Sequence, residues 1–266
     1  MSSFQSSNPT LTNNAFTGWR NSPGLELGMR PANVMTVQGA INTTMILTGV
    51  MISSAVASAT FLFDKAEHLL PGMLVSIFGT LILGLIMFFK PLSARFLAVP
   101  YAVLEGGFVA LISMWAASMM KDTALGGKMG TGVIYAAAGG TIATLVSMLG
   151  LYKLNIVRNT PFFSRIMMVT GLGLFIFVIG AMVARLFGVD TSILWNKGPL
   201  AIGITGIFLV YSAFCFILDF DLIEQGAEQQ APKAFEWYAG YSLLVTIVMV
   251  YWYMLRLLVQ LFGKRE

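Results

Sequence analysis

The chain has one cysteine, Cys215, and one histidine, His68, in 266 residues. A single cysteine excludes an intrachain disulfide, and a single histidine excludes a histidine-rich metal centre and the two-histidine zinc protease pattern. Charge is scarce as well: Asp, Glu, Lys and Arg make up 11% of the sequence, and the basic residues stand singly between apolar runs. Nucleic-acid binding needs a basic stripe or patch, so the net charge of +4 does not indicate it. No GxGxxG, P-loop or GxSxG pattern falls in a strand-turn-helix context, so no nucleotide cofactor is expected. The last apolar segment has no lysine before Lys264, which leaves a retinal Schiff base without an anchor.

Hydrocarbon is abundant instead. A hydrophobic fraction of 57%, 20 Phe, 17 Met and a mean hydropathy of +0.79 place the chain among multi-span membrane proteins. Residues 1–33 are rich in Ser, Asn, Thr, Gly and Pro and lack an apolar run long enough for a signal peptide, so they read as a soluble tail that stays attached. Residues 34–266 then form one transmembrane domain in the lipid bilayer. Its apolar segments lie at about Met35–Phe63, Leu69–Phe89, Phe96–Met120, Gly130–Leu154, Ile166–Phe187, Pro199–Leu218 and Phe235–Phe262. Each is close to the ~20 residues that cross a bilayer core, and since the alternation of barrel strands is missing, helices are what satisfies their amides there. The expected fold class is all-α with seven transmembrane helices. Small residues in YAAAGGTIA and GITG suit close helix approach. With the N-terminus cytoplasmic, eight basic residues outside the spans fall on the cytoplasmic side and six on the other, a bias toward that orientation.

The few charges in this background are informative. Between Phe214 and Trp237 stand five of the twelve acidic residues, Asp219, Asp221, Glu224, Glu228 and Glu236. At 100° per residue, Asp221, Glu224 and Glu228 share one helix face, and Asp219 points away along the line of Cys215, Ser212 and Tyr211. The three acids read as facing water and Asp219 as facing the interior. There burial and any partner act in opposite senses on its proton, which makes it a candidate proton or cation switch; the plain alternative is a solvated helix end. Glu105 lies mid-span in PYAVLEGGFVA, where an ionised acid costs about 2.5 to 3.5 kcal/mol and must face the bundle or a wet cavity. Arg256 in the last span is its natural counter-ion, or else snorkels to the headgroups. Ser242, Thr246, Met249, Tyr253 and Arg256 line up on that helix as a polar stripe.

With these residues in place, the chain resembles the YccA/Bax-inhibitor family of seven-span membrane proteins, in its bacterial branch. The resemblance runs from Met35 to about Leu258 and is most specific at PYAVLEGGFVA, KGPLAIGITG, LDFDLIEQGAEQQAPKAFEWY and YMLRLL. It implies a bacterial inner-membrane protein whose seventh helix runs through the centre of two three-helix layers. It also implies a pH-sensitive calcium leak with a pair of aspartates as latch. The first aspartate maps to Asp219, with Asp221 as the other register. The second falls on Thr246, so the pair is incomplete here.

Two function classes follow. One is an ion-conducting protein, a slow Ca²⁺ pathway lined by Glu105, Asp219 and Glu236, with Asp219 and Glu105 as weak, transient metal ligands. The other is a regulator that binds a membrane-bound protease or quality-control complex through the tail and the acidic turn, as the resemblance implies. An enzyme is not expected, because Asp219 and Asp221 lie on opposite faces of one helix and cannot share a proton.

Overall fold

The computed structural model describes residues 34–62, 69–191 and 198–263. The tail with Phe16, Trp19 and Leu25, His68 and Lys264 lie outside these residues. Seven long helices follow one another: α1 (Val37–Leu62), α2 (Leu69–Phe89), α3 (Ala94–Met120), α4 (Gly132–Lys153), α5 (Pro161–Leu186), α6 (Pro199–Glu228) and α7 (Phe235–Phe262). A single 3₁₀ turn, Pro91–Ser93, precedes α3. All seven are long and apolar enough to cross a membrane. Among the described residues there are no strands, only two isolated bridges, Val34 with Pro232 and Thr123 with Gly127.

Local chemistry sets most of the helix ends. Thr36 Oγ1 accepts the Gly39 amide at 2.9 Å and caps α1, and Thr160 Oγ1 accepts the Phe163 amide at 3.1 Å ahead of α5. Pro161 and Pro199 open α5 and α6, where a missing N–H costs nothing. At the far end of α6, Gln230 takes φ 53° and the Ala231 amide returns to the Gly226 carbonyl at 3.0 Å. A left-handed residue with that bond closes a helix. Consequently α6 runs ten residues beyond the expected boundary at Leu218 and carries most of the acidic stretch as helix. The other helix bounds fall within a few residues of the expected ones, α5 starting five earlier at Pro161.

The chain gathers into two compact units. The first holds the residues up to Leu111 with Arg158–Arg165 and Leu218–Val245; the second holds Ile112–Val157, Ile166–Ile217 and Thr246–Glu266. Small residues bring the helices of the first unit together. A Cβ on Gly106 would overlap the Met51 carbonyl of α1, and Ser54 of α1 donates to the Val103 carbonyl of α3 at 2.7 Å. This is packing without a hydrophobic drive, made possible by backbone contact. In the second unit, a Cβ on Gly140 would press on Met254 of α7. Gly203 and Gly206 behave differently from the expectation for GITG, since a Cβ at either meets nothing within 4 Å. The buried face of α6 there is Ala201, Thr205, Phe208 and Ser212, a row at steps of four, three and four that excludes both glycines.

Candidate functional site

α7 carries the frame of the site: no residue from Phe235 to Gln260 is exposed along it. In the first unit its opening turns bring Tyr238, Tyr241 and Ser242 toward α3 and α6. Ser242 Oγ donates to Asp219 Oδ1 at 2.5 Å. Tyr238, one turn before Ser242, lies within electrostatic reach of the same carboxylate. Asp219 is 6% exposed, so the face assigned to it from the helix geometry is the buried one.

Glu105 is 7% exposed and bonded to Tyr101, one turn earlier on α3. The Tyr101 ring meets Tyr241 edge to face, with centroids 4.8 Å apart and planes at 89°. Tyr241 in turn lies 6.1 Å from Tyr238. Three tyrosines therefore connect the surroundings of one buried carboxylate with those of the other. Sequence reasoning missed them, although Tyr101 stands at i−4 from Glu105 and Tyr238 at i−4 from Ser242, the spacing at which helix side chains meet. A cavity of about 470 Å³ borders Tyr101, Glu105 and Tyr241.

Glu236 has a different setting. Its Oε1 accepts both the amide and the hydroxyl of Thr36 at 3.0 Å, so its carboxylate sits at the N-terminus of α1, where the helix dipole favours negative charge. A Cβ on Gly39 would overlap that carboxylate. Beside it, the Met35 amide donates to the Ala231 carbonyl at 2.7 Å, which ties the entry of α1 to the turn between α6 and α7. Asp221 also departs from expectation. Glu224 and Glu228 are exposed, as the shared helix face requires, but Asp221 is half-buried. It accepts bonds from Asn159 Nδ2 at 2.6 Å and Gln225 Nε2 at 2.5 Å, and Asn159 Oδ1 accepts Ser164 Oγ at 2.5 Å. The α4–α5 connection, invisible to helix periodicity, supplies that partner.

Thr246 and Arg256 belong to the second unit and are buried, 5% and 8% exposed. Arg256 lies within electrostatic reach of Tyr253, whose ring stacks on Phe208 at 5.0 Å. Thr246 follows Ser242 by one helical turn on α7. Among the described residues, no three His, Cys, Asp or Glu side chains come together in a way that could hold a metal ion. Glu105, Asp219 and Glu236 are each held by a hydroxyl, of Tyr101, Ser242 and Thr36, and Asp221 by two side-chain amides.

No curated protein and no solved structure matches the chain. The family model described as Bax inhibitor 1 like matches residues 4–263, nearly the whole length. Seven membrane-spanning helices and that match agree, and this integral membrane protein belongs to the Bax inhibitor 1 like family.

Proposed function

We propose that the protein is a slow leak pathway for cations, Ca²⁺ foremost, whose flux responds to pH, and that Glu105 and Asp219 are the carboxylates that cations meet. The observation that carries this reading is the pair itself: two buried acids in one unit, held by Tyr101 and Ser242 and joined through three tyrosines. A membrane-embedded acid is expensive and marks an ion or proton path by default. Separated carboxylates also suit passage, because tight Ca²⁺ storage takes six to eight oxygens. Glu236, engaged by Thr36, lies outside the proposed path, and Asp221, engaged by Asn159, serves as a brace. The reading has no catalytic step. It includes a bacterial inner membrane and a cytoplasmic N-terminus, supported by the family resemblance and the charge bias.

The test is Ca²⁺ entry into phosphatidylcholine liposomes that carry the purified protein and an entrapped indicator. Entry should exceed that of empty liposomes, vary with pH, and fall severalfold in Glu105→Gln and Asp219→Asn at equal amounts of folded protein. Flux no greater than that of empty liposomes would favour a second reading, a non-conducting regulator of a membrane protease. One observation supports it: Val34 and Met35 pair with Pro232 and Ala231, which places the first described residues beside the turn that follows the acidic end of α6.

A further inference from the structure

The cavity at Glu105 opens sideways. Its floor is Tyr101, Glu105 and Tyr241, and its rim is Leu81, Leu85 and Phe88 of α2. Those three rim residues are 59%, 54% and 50% exposed on a membrane-spanning helix, so the groove meets hydrocarbon. A buried carboxylate faces an apolar opening, and among the described residues no basic side chain lines it.

The chemistry of the walls discriminates between cations. A divalent metal needs many hard oxygens, and the groove offers one carboxylate, two phenols and the Thr80 hydroxyl. Even with that hydroxyl, whose proton goes to the Ser76 and Ile77 carbonyls at 2.8 and 3.1 Å, the set falls short of the six to eight oxygens of a Ca²⁺ shell. An ammonium group needs only the carboxylate and aromatic faces, and pairs with both in a desolvated site. An attached hydrocarbon chain would lie along the rim. Gly84 lets α2 close onto the tyrosines, since a Cβ there would stand 3.0 Å from the Tyr241 hydroxyl and 3.7 Å from Tyr101 and would press on them. Depth selects among amines. Glu105 is eleven residues into α3, roughly 16 Å along the helix, so a phospholipid amine would have to draw its phosphate far below the interface. A free amine carries no such burden.

We infer that the Glu105 groove is a lateral binding site for a free hydrophobic amine, with the ammonium on Glu105 beside Tyr101 and Tyr241 and the alkyl chain along Leu81, Leu85 and Phe88. The inference stands whether or not the protein conducts, since it concerns occupancy reached from the bilayer.

The probe is dodecylammonium with a diazirine on its chain, photolysed against the full chain in phosphatidylcholine nanodiscs, with labelled residues mapped by mass spectrometry. Label should concentrate on the α2 rim, and excess dodecyltrimethylammonium should displace it while dodecanol does not. Glu105→Gln should weaken rim labelling about tenfold, the loss of one desolvated charge partner. Gly84→Ala should weaken it while leaving Glu105 in place, which guards against misfolding of the first variant. Displacement by dodecanol as readily as by the amine would overturn the proposal, as would unchanged labelling in both variants. Displacement by phosphatidylethanolamine at membrane concentration would assign the groove to a lipid headgroup and overturn the choice of a free amine.

Discussion

Gly39 and Glu236 allow the packing of α1 on α7 to be tested as one unit. A Cβ at Gly39 would overlap the carboxylate that accepts both Thr36 bonds, so Gly39→Ala must displace the acid or part the helices. Losing two hydrogen bonds to a charged acceptor costs ~3 kcal/mol, and removing the charge from a helix N-terminus adds ~0.5 kcal/mol. Alanine is the better helix former by up to ~1 kcal/mol, so Gly39→Ala should destabilise by about 2.5 kcal/mol net. Glu236→Ala loses the same bonds and should cost ~3.5 kcal/mol. In the Glu236→Ala background the overlap is gone, and adding Gly39→Ala should recover up to ~1 kcal/mol of helix propensity. The double variant should then lie ~2.5 kcal/mol below wild type instead of the ~6 kcal/mol of the summed singles, a coupling of ~3.5 kcal/mol. Equilibrium unfolding in mixed micelles, followed by tryptophan fluorescence, measures all four proteins. Single effects that add to within ~0.5 kcal/mol would refute the contact. Glu236→Gln is the control, since it keeps an acceptor for Thr36 and should cost no more than ~1 kcal/mol.

Seven crossings put the two termini on opposite sides, so reporter fusions at the ends should give opposite answers; matching answers would mean that one helix does not cross. Asn159→Ala removes one of the two side-chain amides bonded to Asp221 and should cost ~1 to 3 kcal/mol in the unfolding assay, with Ca²⁺ flux unchanged; lost flux at full stability would move Asp221 into the path. Thr246→Asp places an acid one turn beyond Ser242, which already holds Asp219. Where the latch that the family resemblance implies operates, the added acid should strengthen the pH dependence of flux; an unchanged profile counts against a latch on this helix.

Length and hydropathy settled the class. Seven runs of apolar residues can satisfy their amides in lipid only as helices, and each appears close to its expected place. Periodicity also settled which face of α6 buries Asp219, because 100° per residue is a local rule. It could not say where α6 ends. The acids after Leu218 look like the close of a span, yet the helix continues to Glu228 and stops where Gln230 turns left-handed. That extension leaves Asp219 nine residues short of the helix end, bonded to Ser242 of α7. Partner choice was equally out of reach. Glu236 finds Thr36 and Asp221 finds Asn159 across 200 and 62 residues of chain, and Glu105 borders a groove that α2 forms with Tyr101 and Tyr241. In each case the sequence by itself determined that a carboxylate inside a membrane segment must be satisfied, since lipid offers it nothing. Which hydroxyl, amide or ring does so depends on contacts between segments distant in the chain, and only the tertiary structure decided it.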